Sequence, residues 1–301
     1  MSEKQPTLLV TGGSGHLGKR VLELLLEQPA GTIVATTRTP EKLADFAARG
    51  VIVRKADFDD EASLVEAFAG VDRLLLISTD ALDAPGHRLQ QHINAVKAAE
   101  QAGVSHVVYT SIVNPTSDFV AFVNVDHSGT EAALTASKLG FTVLRENIYT
   151  EMLLPSLGQA LASGSLFAAK GAGKTAYITR EDCAQAAVAA LLSDFNGRRT
   201  LDITGPEAVT QADVAAIASA ISGRPIQYVP LELEGLIQGM VGAGFPRPLA
   251  EAFATFDTAT AQGQFITATD TIETLTGRKP ISIADFLTAN QAVWLQGANA
   301  H

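Results

Sequence analysis

Short apolar runs alternate with stretches in which apolar residues recur every three or four positions, and this alternation fills the first half of the chain. The runs at 7–10, 32–36, 51–55, 72–77, 105–109 and 141–144 predict strands. Between the first two, Leu17, Val21, Leu24 and Leu25 share one helical face, and further helices are expected over 40–49, 61–68, 88–102 and 125–137. Strands apolar on both faces, each followed by a helix, mean a parallel sheet covered on two sides. The expected class is α/β, a doubly wound parallel sheet.

Beyond residue 150 the pattern loosens. Helices are expected over 182–192, 212–222, 232–256 and 283–295, and strands over 200–204 and 226–230. No internal repeat or disordered linker interrupts the chain. The division expected is residues 1–150, with 176–205 returning to them, and a smaller α+β C-terminal lobe over 151–301.

The first strand runs into Thr11 Gly12 Gly13 Ser14 Gly15 His16 Leu17 Gly18, a GxxGxxG spacing at a strand-to-helix junction. There Gly12 permits a tight turn, Gly15 lets backbone approach a pyrophosphate, and Gly18 lets the helix pack closely on the strand. The amides opening the helix, from Ser14 through Leu17, then face the phosphates. A dinucleotide cofactor is expected.

Its type is read at the end of the second strand. An NAD site places a carboxylate about 20 residues past the glycines. This chain has Arg38 there, with Lys42 one helical turn on, and a guanidinium grips a 2′-phosphate bidentately. The reading is NADPH. In a doubly wound sheet the ligand lies outside the carboxyl ends of the strands, so Asp57 with Phe58, Ser78 with Thr79, Thr110 with Ser111, and 145–149 also join the rim. Asp57 suits the adenine amino group or, alternatively, a helix cap.

With 301 residues, 47% hydrophobic and 18% charged, the chain can bury a large core. A net charge of −10 argues against a nucleic-acid partner. No apolar run reaches the roughly 18 residues of a membrane span, and residues 1–6 lack the features of a signal peptide, so a cytoplasmic location is expected. Cys183 is the only cysteine and the histidines show no metal spacing, so no metal is expected. The oligomeric state, a homodimer included, stays open.

The glycine turn, Thr36 to Lys42, Ala56 Asp57 Phe58, Leu74 to Ser78, Tyr109 Thr110 Ser111, Val143 to Tyr149, Gly171 to Lys174, Arg180 Glu181 Asp182 and Thr204 Gly205 Pro206 together resemble the NmrA-like branch of the atypical short-chain dehydrogenases. The likeness runs almost end to end. It implies a Rossmann fold, and it is strongest to the type 2 NADPH-dependent quinone oxidoreductases and the bacterial triphenylmethane and azo dye reductases. It also implies cofactor contacts from Ile77, Ser78, Ser111 and the loop of Asn147, Ile148 and Tyr149.

Ordinary members of the wider group carry a YxxxK pair. Here Val123 stands in place of the tyrosine and His127 in place of the lysine, so the usual proton relay for alcohol oxidation is missing. The resemblance then implies hydride transfer to a quinone or a conjugated dye, a small aromatic acceptor that needs little help with protons. The catalytic candidates are His127 as a donor, Tyr149 as a hydrogen-bonding or stacking group, and Lys174 near a developing oxyanion. Binding of NADP without turnover, as a redox sensor, is the alternative.

Overall fold

A computed structural model describes residues 5–296. Residues 1–4, part of the N-terminal segment considered above, lie outside them. In chain order the first elements are β1 (Thr7–Val10), α1 (His16–Leu26), β2 (Thr32–Thr37), α2 (Ala44–Ala48), β3 (Ile52–Lys55), α3 (Glu61–Phe68) and β4 (Arg73–Leu76). They continue with α4 (His87–Gln101), β5 (His106–Ile112), α5 (Asn124–Ala136) and β6 (Gly140–Glu146). Then follow α6 (Leu154–Ser163), β7 (Ser165–Ala168), β8 (Lys174–Thr175), α7 (Arg180–Leu192), β9 (Arg198–Ile203), β10 (Val209–Thr210), α8 (Gln211–Ser222) and β11 (Gln227–Pro230). The described residues end with α9 (Leu233–Gly242), α10 (Arg247–Ala261), α11 (Thr271–Thr276), α12 (Ile283–Ala289) and α13 (Gln291–Gln296).

Two compact units result. The first gathers the residues up to Ile112, Val125–Arg145 and Glu181–Asp202, and the second gathers Val113–Asn124, Glu146–Arg180 and the residues from Ile203 on. The first is built on a seven-stranded sheet in the order β3-β2-β1-β4-β5-β6-β9. Registers from β3 through β5 are parallel. Bonds from Gly140 N–H to the Ser105 carbonyl and from Phe141 N–H to the Gly197 carbonyl carry the same direction outward. The doubly wound parallel sheet read from the sequence is this one.

A row of apolar side chains explains its stability. Val34, Leu9, Leu74 and Val107 stand in register across β2, β1, β4 and β5, all inaccessible to solvent. Each contributes about 1.5–3 kcal/mol by burial. Because β1 lies between β2 and β4, the order of the sheet reverses at its carboxyl end, where ligands of such sheets settle.

The second unit has its own core, including Leu157, Leu166, Tyr177, Val214, Phe286 and Trp294. Its strands pair as β7 with β11, parallel, and β8 with β10, antiparallel. Helical material expected over 232–256 is broken into α9 and α10, because Gly244 adopts φ +95° and Pro246 starts a new helix. Among the described residues no helix is long and apolar enough to cross a membrane, and no cluster of three His, Cys, Asp or Glu side chains could hold a metal.

Candidate active site

The glycine turn is shaped by two constraints that only glycine meets. Gly12 has φ +59°, in the left-handed region. A Cβ on Gly18 would lie 2.3 Å from the Gly12 carbonyl oxygen, so α1 packs directly on the turn. Thr11, at the end of β1, donates to the Leu75 carbonyl (3.1 Å) and accepts from Ile77 N–H (2.9 Å). Ser14 Oγ meets Thr37 Oγ1 at 3.1 Å. His16 is exposed at the first position of α1, and Leu17 is buried behind it. The opening amides of α1 lack intrahelical acceptors, as at any helix start, and are free for an anion.

On the β2 side, Arg38 and Lys42 are exposed. Neither side chain has a hydrogen bond or ion pair to another described residue. Asp57 accepts from Asp59 N–H at 3.1 Å, and Phe58 packs on the sheet core. The cap of α3 is Asp60, which accepts from Ser63 N–H, so the capping alternative for Asp57 falls to its neighbour. Close glycines, open helix amides and two exposed cations past the end of β2 fit a dinucleotide bearing a 2′-phosphate.

The β4 side is built differently. Three successive amides after the strand are each held by a side chain from a different element. Thr11 takes Ile77 N–H, Thr110 takes Ser78 N–H (2.9 Å) and His92 Nε2 takes Thr79 N–H (2.9 Å). Arg88 Nε donates to the Thr79 carbonyl at 2.6 Å. Arg88 also reaches Asp126 Oδ2 at 3.4 Å and His127 Nε2 at 3.2 Å.

A guanidinium only donates, so His127 Nε2 accepts and its Nδ1–H donates to the Tyr109 hydroxyl, 2.9 Å away. His92 likewise accepts through Nε2 and donates from Nδ1 to Thr130 Oγ1 (2.9 Å), which passes its own proton to the Asp126 carbonyl (2.6 Å). Burial, and then the Arg88 charge, lower both imidazoles, His92 to about 3 and His127 well below the usual range. Both rings are neutral. His127 is thus engaged at both nitrogens inside the first unit. Val123, which precedes α5 and belongs to the second unit, is buried.

Ser111 donates to Glu131 Oε1 at 2.7 Å, and Arg145 forks the same carboxylate at 3.0 and 2.6 Å. Ser111 therefore offers a ligand only its lone pairs. The remaining candidates belong to the second unit. Asn147 is buried, accepting from Ile148 N–H (2.8 Å) and donating to the Phe265 carbonyl (3.1 Å). The half-buried Tyr149 donates to Glu146, and the Arg180 guanidinium covers its ring, 5.2 Å from the centroid. Lys174 is exposed on β8, and its charge helps to lower the Asp213 carboxyl, behind the bonds that Thr210 makes to it.

Sequence reasoning missed Arg88, His92, Asp126 and Glu131. A signal existed for the first two. They stand one helical turn apart on a helix that also buries Ala95, Val96, Ala98 and Ala99.

Comparison with known proteins agrees with this geometry. A family model described as NAD(P)H-binding matches residues 12–194. Quinone oxidoreductase 2 of Escherichia coli is 34% identical over 279 residues, 92% of this chain and 96% of that one. An NAD(P)H azoreductase of Xenophilus azovorans is 29% identical over 95% of this chain and 99% of its own. A solved structure of the triphenylmethane reductase of a Citrobacter species superposes with a TM-score of 0.88 at 31% identity, covering 95% of this chain and 99% of that one.

Proposed function

The chain belongs to the NAD(P)H-binding family, and from that premise we propose that it is an NADPH-dependent reductase passing hydride to a quinone or a conjugated azo or triphenylmethane dye-like acceptor. The observation that carries the cofactor choice is the exposed pair Arg38 and Lys42, neither hydrogen-bonded nor ion-paired to another described residue, just past β2. Charge-assisted bonds to a 2′-phosphate are worth about 1.5–3 kcal/mol each, enough for a tenfold preference over NADH. The kind of acceptor follows from the relatives' activities and from the sequence, which has no phenol at 123 and no ammonium at 127.

When bound, NADPH supplies the hydride, and water supplies the proton that completes a hydroquinone. The chain's own task is then alignment. The first unit, with 181–202 returning to it, holds the cofactor in this reading. Ser14 and the opening of α1 take the phosphates, Arg38 and Lys42 the 2′-phosphate, Asp57 and Phe58 the adenine, and Ile77, Ser78, Thr79 and Ser111 the other half, while Thr11, buried and bonded to Leu75 and Ile77, supports the turn from behind. His127 supports this wall through Arg88 and Tyr109 rather than delivering a proton, because both ring nitrogens are engaged. In the second unit, Tyr149, backed by Arg180, is the candidate for contact with an aromatic acceptor.

The test is consumption of NADPH, with NADH in parallel, against a benzoquinone, an azo dye and a triphenylmethane dye. Saturable turnover with NADPH, about tenfold better than with NADH, is expected. Tight NADPH binding without turnover of any acceptor would replace the reductase by a cofactor-binding regulator.

A further inference from the structure

Within the reading just given, we propose that Arg88 is a positioning residue that fixes segment 77–79 as the wall for the nicotinamide half of the cofactor. The direction comes from the sheet. Arg38 at the end of β2 draws the adenosine half toward β2 and β3, and the pyrophosphate sits at the glycine turn after β1. An extended dinucleotide must then leave the turn over the carboxyl ends of β4 and β5, where Ile77, Ser78 and Thr79 stand half-buried.

That segment follows β4 directly and is not itself a strand. Its amides are held by Thr11, Thr110 and His92, and the Thr79 carbonyl is held by Arg88. Arg88 is the one side chain here whose three donor nitrogens serve three different groups, on Thr79, Asp126 and His127. It ties the segment to α5. Arg88 is 8% exposed, His92 0% and His127 5%, so water does not replace these bonds when one is removed. The shape of the fork matters as well as its charge, because a lysine at this place reaches one acceptor at a time.

The test compares two probes, NADPH and adenosine 2′,5′-bisphosphate, which carries the adenine and the 2′-phosphate but no nicotinamide. Binding is followed by fluorescence or calorimetry, with thermal melting of the cofactor-free protein alongside. Arg88→Met is expected to weaken NADPH about tenfold while leaving the bisphosphate within about twofold, and Arg88→Lys to fall between wild type and Met. If Arg88→Met does not fold, His92→Leu, which removes the acceptor for Thr79 N–H, is expected to show the same split between probes. Unchanged NADPH binding in these variants overturns the proposal. So does a parallel loss of both probes, which would make the network a general support. Failure of the unaltered chain to bind NADPH would sink the functional reading and this inference with it.

Discussion

On one flank of β1, Arg38 and Lys42 stand in solvent without a hydrogen bond or ion pair to another described residue, while on the other Arg88, His92 and His127 are buried with their nitrogens engaged. Both flanks are rich in cations and hydrogen-bonding groups, yet they solve opposite problems. Exposed cations keep their bonding capacity for a ligand and pay little for it in stability, since solvent already satisfies them. Buried groups give theirs to the backbone and produce a rigid wall, at the risk that any one loss strands its partners. The difference separates residues that bind from residues that place.

Gly18 serves both flanks, and its substitution is the severest way to break the contrast. In Gly18→Ala the new Cβ would meet the Gly12 carbonyl oxygen at 2.3 Å and the Gly12 carbonyl carbon at 2.9 Å, all backbone. Overpacking of this kind costs about 1–3 kcal/mol, and here the turn must move to relieve it. Melting temperature and NADPH affinity should fall together, the affinity by well over about tenfold. A variant that kept both would mean that the turn relaxes freely, and that neither flank depends on its shape.

The buried flank is next tested by acid. In the unfolded chain histidine titrates near 6.5, whereas folded His92 holds out to about 3 and His127 is lowered too. Between those values the unfolded state binds protons that the folded state refuses. Stability contributed by His92 is therefore complete above pH 6.5 and falls as pH drops, by roughly 1.4 kcal/mol per unit, and His127 acts in the same direction. Urea unfolding from pH 8 to pH 4 should show this slope, and His92→Gln should make it shallower. Arg38→Ala should leave it unchanged. A slope indifferent to His92→Gln would mean that the ring is protonated in place, contrary to its role as acceptor for Thr79.

The two flanks also differ in how far the sequence reveals them. The glycine turn, Arg38 and Lys42 lie within about thirty residues and act through local spacing, so their chemistry reads directly from the order of residues. Likewise the sheet strands are legible to within a few residues, the central ones as short apolar runs. Arg88 and His127 are 39 positions apart, and only the packing of α4 against α5 brings them together. His127 reads as a donor of a hydrogen bond or proton only through the resemblance, because it fills the position of the pair's lysine, and the spacing does not reveal that Arg88 and Tyr109 engage both its nitrogens. Asn147 looked like a cofactor contact for the same kind of reason, but its amide is engaged by Ile148 and Phe265. In the C-terminal half, β8 and β10 have two residues each, too few for any periodicity, and α6 is blurred by Pro155 and Gly158.

The smallest effects belong to the exposed flank, and their ratio sharpens the contrast. Arg38 offers a planar fork, so Arg38→Ala should weaken NADPH about tenfold and leave NADH unchanged, removing the preference between them. Lys42 offers a flexible point charge one turn further on, in a solvent that screens it, and exposed pairs of this kind are worth about 0.2–1 kcal/mol. Lys42→Ala should therefore cost NADPH about two- to fivefold, and the cost should shrink as salt rises toward about 1 M, where charges are screened within roughly 3 Å. Neither substitution should shift the melting temperature of the cofactor-free protein, since neither side chain bonds to it. A loss of stability in either variant would show these cations supporting the fold, and the division between binding and placing would no longer hold.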